Sequence, residues 1–111
     1  MKNESENTRL ERLLSMHQSQ PNDVFLNYAL ALEWQKNGDK AAAIEAFEKT
    51  LSLQADYLAA YYQLGQLYHE SNQLEKAISC FEKGISAAQK SNDLKALAEL
   101  KNALMNAQIG D

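Results

Sequence analysis

Proline occurs once in this sequence, glycine four times and cysteine once. A chain so poor in helix breakers, and rich in Ala, Leu, Glu, Lys and Gln, favours helices joined by short turns. With Cys80 alone, no intramolecular disulfide can form, which agrees with a reducing compartment. No run approaches the roughly 18 apolar residues that a membrane-spanning helix needs. The opening "MKNESENT" has no apolar stretch of the kind a secretory signal carries, so a cytoplasmic location and no membrane partner are expected. Blocks of one charge are also missing. The net charge is −4, with acids and bases interspersed, and a basic face for nucleic acid is therefore not expected.

Catalytic constellations are equally scarce. His17 and His69 fall on different helices, neither with another His or Cys at metal-ligand spacing, so no metal is expected. Cys80 lies mid-helix beside Phe81, with Lys76 and Lys83 the nearest cations, and reads as a half-buried, inert thiol. Phosphate-cradling glycine loops and nucleophile elbows are absent. Acidic pairs such as Glu45/Glu48 and Glu75/Glu82 alternate with lysines as solvated outer faces do. No cofactor and no enzymatic activity are expected.

What the sequence does contain is a repeat. "AIEAFEKTLSL" at Ala43–Leu53 returns as "AISCFEKGISA" at Ala77–Ala87, 34 residues later. At the same offset Tyr28 falls on Tyr62, Leu30 on Leu64, Ala31 on Gly65, Trp34 on Tyr68 and Phe47 on Phe81. The units span residues 24–57 and 58–91, and each reads as two helices. In the first, Leu26, Leu30 and Trp34 recur at helical spacing until "KNGD" interrupts them. Gly38 can adopt the left-handed conformation that ends a helix, and Asp39 can cap the next. Asn72 replaces that glycine in the second unit, as the next most tolerant residue.

The flanks continue the helical pattern. Residues 1–7 are expected to be disordered. Residues 8–19 carry the apolar stripe Leu10, Leu13, Leu14 and Met16 behind a capping box, Thr8-Arg9-Leu10-Glu11. At the other end Ser91 or Asn92 can cap a helix over 92–108 bearing Leu94, Leu97, Leu100, Leu104 and Met105.

The spacing resembles the tetratricopeptide repeat: an aromatic, then Leu-Gly, Tyr, Ala, an aromatic, a small residue and Pro. Tyr61, Leu64-Gly65, Tyr68, Ala77, Phe81 and Gly84 match in order, with Gln89 in place of the proline. The first unit fits at Leu30-Ala31, Trp34, Ala43 and Phe47 but not at Asn27 or Ala55, and Pro21 lies one period before Ala55. The resemblance implies an all-α fold of antiparallel helix pairs in a right-handed superhelical stack. Two full repeats would be flanked by an N-terminal half-repeat helix and a C-terminal capping helix, forming a single domain over 8–111. Small residues at 31/65, 43/77 and 50/84 would let helices approach closely while the aromatics fill the space beside them.

In this family the first helices line a concave groove that binds a peptide or protein. The groove positions here are Phe25, Tyr28, Leu32, Gln35 and Lys36, then Ala59, Tyr62, Gln66, His69 and Glu70. Phe25, Tyr28 and Leu32 share one helical face, open to a partner or covered by the N-terminal helix. For the C-terminal helix, strict counting faces Leu100 and Leu104 inward. A slip of one residue, the favoured register, faces Lys95, Glu99 and Asn102 inward and packs Leu94, Leu97 and Ala98. The Lys, Asn and Arg with which some family members grip a chaperone's C-terminal carboxylate are replaced by Tyr28, Leu32, Ala59 and Gln63, so that clamp is absent. The expected function is a non-catalytic protein–protein interaction module. The alternative is a scaffold that pairs copies of itself through an apolar helix face, as a homodimer. A groove role further implies that Tyr28→Ala and Tyr62→Ala weaken partner capture with little effect on melting.

Overall fold

The computed structural model describes residues 4–109, with side chains from residue 8 onward. Six α-helices succeed one another: α1 (Glu4–Ser19), α2 (Val24–Lys36), α3 (Lys40–Leu53), α4 (Leu58–Glu70), α5 (Leu74–Ser91) and α6 (Leu94–Gln108). They fall into two compact units, residues 1–53 with α1–α3 and residues 54–111 with α4–α6.

In the first unit α2 and α3 form an antiparallel pair. Gly38 takes φ +84° and ends α2. The Gly38 N–H donates to Gln35 O (3.1 Å) and the Asp39 N–H to Trp34 O (2.9 Å), closing the helix end in a Schellman turn. Asp39 Oδ1 then accepts from Ala42 N at 3.1 Å and caps the next helix. Ala31, Ala43 and Phe47 are fully buried between the helices, with Leu26 and Leu30 almost so. Thr50 is buried too, and its hydroxyl is satisfied by Ala46 O at 2.8 Å.

The second unit repeats these devices one period later. Asn72 takes φ +61°. Asn72 N–H donates to His69 O and Gln73 N–H to Tyr68 O, the counterparts of the bonds at 38 and 39. Gly65 and Phe81 are buried against each other so closely that a Cβ on the glycine would lie 2.3 Å from the ring. Gly84 is similarly crowded by Tyr61 and Leu100. Close approach is thus the reason for a glycine inside α5, despite a helix-propensity penalty of about 1 kcal/mol.

The terminal helices depart from expectation. α1 begins at Glu4, so Thr8 lies inside the helix, past the N-terminal position that the expected capping box assigned to it. Residues 1–3 of the expected disordered segment lie outside the described residues. Asn92, at φ +58°, ends α5 rather than starting α6, and Asp93 is the N-cap, accepting from Ala96 N at 3.0 Å. Leu94 is 72% exposed and Ala98 is exposed, whereas Leu100, Ala103 and Ala107 are buried. The one-residue slip therefore misplaces the packing face. The cause is a change of period: α5 runs 18 residues where α3 has 14, and the connection from α5 to α6 is only Asn92-Asp93.

Candidate protein-interaction faces

The loop that enters α2 shows how the first unit manages without the family's aromatic at position 27. Asn27 is 3% exposed, and its Nδ2 donates to Pro21 O (3.0 Å) and Asp23 O (2.8 Å). Oδ1 then faces His17 Nε2 at 3.2 Å, and because both bonds from Nδ2 go to carbonyls, the imidazole nitrogen is the donor. One period later Tyr61 Oη donates to Ala55 O at 2.6 Å. Asn27 and Tyr61 therefore reach the carbonyl at the same relative position, six residues back, with different side chains. Asp23 Oδ1 caps α2 through Leu26 N at 2.9 Å.

This anchoring orients α2 so that its two apolar stripes have opposite fates. Leu26 and Leu30 are buried, while Phe25 is 67% and Leu32 37% exposed. With so much of its ring in water, Phe25 is not covered by the N-terminal helix. Tyr28 lies between them, half-buried, its ring 5.8 Å from that of Phe47 at 58°. Lys36 is exposed in the last turn of α2. The four first-unit residues thus share a face, apolar at its start and basic at its end.

In the second unit Tyr62 is half-buried on α4, and Gln66 Nε2 donates to its hydroxyl at 3.4 Å. His69 is half-buried and Glu70 exposed in the last turn. Beside Tyr62 a cleft of about 220 Å³ opens between α4 and α6, with Leu58 and Ala59 on one wall and Lys95, Ala96 and Glu99 on the other. Of Lys95, Glu99 and Asn102, which the one-residue slip faced inward, Lys95 and Glu99 line this cleft and Asn102 does not. Apolar walls with two acids, Asp93 and Glu99, and one base, Lys95, suit a peptide backbone with mixed side chains.

Buried groups outside these faces are structural. Cys80 is 6% exposed and its Sγ donates to Tyr61 O at 3.3 Å. Burial pushes the Tyr61 hydroxyl's pKa upward, with the Cys80 and Asp56 charges adding to it, so the phenol stays a donor. Among the described residues no three His, Cys, Asp or Glu side chains cluster as metal ligands, and no helix is long and apolar enough to cross a membrane. Two buried polar residues had sequence signals that the repeat pattern obscures. Asn27 occupies an aromatic position, and Glu33 completes the helical stripe of Leu26 and Leu30.

The sequence profile of the tetratricopeptide repeat family matches residues 35–104. Among solved structures, a tetratricopeptide repeat domain protein from Salinibacter ruber is 34% identical, with a TM-score of 0.75 over 80% of this chain and 99% of its own. A protein from Bordetella parapertussis, 24% identical, shares the fold with a TM-score of 0.79 over 92% of this chain and 89% of its own. MamA is 28% identical with a TM-score of 0.72; the match covers 92% of this chain but 58% of MamA. No curated protein sequence matches significantly. Folds of this kind generally mediate protein–protein contacts and are typically non-catalytic scaffolds. With its profile match over most of its length and its 34% identity to a repeat domain of known structure, the chain belongs to the tetratricopeptide repeat family.

Proposed function

We propose that the protein is a non-catalytic interaction module that takes a peptide or protein partner on the first-helix faces of its repeats. The observation that carries this reading is Phe25: a large aromatic side chain, 67% exposed, beside Tyr28 and Leu32 on one face of α2. Exposed aromatics of this kind are the usual anchors of protein interfaces. On α4, Tyr62, Gln66, His69 and Glu70, with the cleft beside Tyr62, supply the corresponding contacts of the second repeat.

Phe25 is also a cleaner probe than Tyr28. Because the Tyr28 ring packs on the buried Phe47, Tyr28→Ala removes an aromatic contact worth about 0.5–1.5 kcal/mol and should also lower the melting temperature. Phe25→Ser should leave the melting temperature within about 2 °C and strip specific partners from affinity capture out of native lysate. Glu48→Gln, on the outer face of α3, should retain them. Equal capture by both variants would refute the α2 face.

A second reading is favoured by α6, where Leu94 and Met105, and Ile109 at its C-cap, are 72%, 54% and 64% exposed. Such an exposed apolar face suits pairing with a second copy. Light scattering across a concentration series decides it: a monomer throughout excludes self-assembly, and a dimer lost on Met105→Ser supports it.

A further inference from the structure

Helix α1 is seated on α2 without a core of its own. Among its described residues none is fully buried, and Leu14 and Met16 are 37% and 52% exposed. Polar contacts hold its two ends instead. At the C-terminal end Asn27 gathers His17, Pro21 O and Asp23 O, and so fixes the connection into α2. Toward the other end Arg9 Nε donates to Glu33 Oε1 at 2.9 Å.

That ion pair is unusual in its burial. Arg9 is 64% exposed, whereas Glu33 is 4% exposed and its Oε2 meets no donor among the described residues. One repeat later the same position is Leu67, 1% exposed. A site that takes leucine in one repeat thus holds a carboxylate in the other. Burying a charge against one partner costs desolvation that the pair does not fully offset, and lifting the helix returns that carboxylate to water. An open cleft of about 430 Å³ runs beside α1, with Leu14 and His17 on one side and Trp34 and Ala46 on the other.

We propose that α1 is a hinged flap, pivoting at the Asn27 hub and latched by Arg9–Glu33, which opens while the α2–α3 pair stays folded. Opening hydrates Glu33 and bares the Leu30–Trp34 edge of α2. The position of the latch explains why a carboxylate stands in place of leucine: a leucine there would seal the flap by burial alone.

Hydrogen exchange read by mass spectrometry on the full chain tests this. In the wild type, amides of α1 should exchange faster than those of α2 and α3. Arg9→Ala, at an exposed side chain, should speed α1 exchange about tenfold and leave α2–α3 exchange unchanged. Glu33→Leu should slow α1 exchange below the wild-type rate. Raising salt to 1 M should speed the wild type and not Arg9→Ala, because only the former has a pair to screen. Acrylamide quenching of Trp34, the single tryptophan, should rise with α1 exchange. Exchange of α1 at the rate of α2–α3 in both the wild type and Arg9→Ala would overturn the proposal, as would salt-insensitive opening of the wild type. Should Glu33→Leu fail to fold, the Arg9→Ala and salt results decide alone.

Discussion

Replacing Asn27 by leucine tests whether the hub at the α1–α2 connection contributes to stability or merely decorates it. The two side chains share the same branching and number of heavy atoms, so the change removes polarity while leucine's bulkier methyl groups ask only modest adjustment of the packing. Three hydrogen bonds disappear: those to Pro21 O at 3.0 Å, to Asp23 O at 2.8 Å and with His17 at 3.2 Å. At about 1 kcal/mol each, the gross loss is about 3 kcal/mol. The orphaned partners soften it. Asp23 O still accepts from Asn27 N at 3.1 Å, Pro21 is exposed to water and His17 is only half-buried. Burying leucine instead of an amide returns about 1–1.5 kcal/mol, so the net loss should be about 1–2 kcal/mol. Asn27→Ala forfeits that return and leaves a cavity, and should cost about 1 kcal/mol more. Urea unfolding tracked by Trp34 fluorescence reports on the first unit specifically, because the chain has no other tryptophan. A double-mutant cycle with His17→Ala should isolate a coupling of about 0.5–1 kcal/mol. If Asn27→Leu unfolds within about 0.5 kcal/mol of the wild type, the hub holds nothing, and the equivalence drawn between Asn27 and Tyr61 loses its energetic meaning.

Two further tests address the second unit. Gly84→Ala should destabilise by about 1 kcal/mol in thermal melts, overpacking of about 1–3 kcal/mol exceeding the helix-propensity gain of about 1. Its Cβ would lie 2.8 Å from Tyr61 Cβ and 3.1 Å from both Leu100 methyls, and Tyr61 cannot retreat while its hydroxyl is bound to Ala55 O; an equal or higher melting temperature would contradict the close approach. Tyr61→Phe should cost about 0.5–1 kcal/mol near neutral pH and flatten the alkaline limb of stability. The folded state raises the phenol's pKa above 10.0, so its contribution is complete below that pH and lost as pH climbs through the folded value. Parallel stability curves for variant and wild type above pH 10 would count against this.

Much of the repeat was readable because its devices depend on residue type at fixed spacing. A left-handed turn needs Gly38 or Asn72, and the paired carbonyl bonds recur at the same offset. Close helix contact needs Gly65 beside Phe81, and both residues stand at the repeat's expected positions. The hub at Asn27 escaped the pattern because the quantity shared between the repeats there is reach to a carbonyl. A tyrosine achieves it through its hydroxyl and an asparagine through its amide, and comparison by chemical class sees only a mismatch. The register of α6 escaped because a 34-residue count presumes equal helices, and the longer α5 rotates the helix after it. For the candidate faces, the sequence grouped Phe25, Tyr28 and Leu32 by periodicity. Only the structure separated the exposed Phe25 from a Tyr28 committed to Phe47.

Helix α2 carries the sharpest conflict with folding economy. Within nine residues it exposes Phe25 and buries Glu33, at 67% and 4%. Where folding alone decides, local pattern and burial agree, as they do on α4, where the equivalent positions hold an exposed Ala59 and a buried Leu67. The outer helices α3 and α5 show no such inversion: Ala43, Phe47, Ala77 and Phe81 are buried while Glu48, Lys49, Glu82 and Lys83 meet water. The two departures on α2 therefore do not reflect a poorly specified repeat. They concentrate on the one helix that presents an aromatic to solvent on one face and holds the seat of α1 on another. As proposed, a partner anchored at Phe25 and a flap latched at Glu33 would place two separate demands on α2: Phe25→Ser should then leave α1 exchange unchanged, and Arg9→Ala should leave partner capture unchanged.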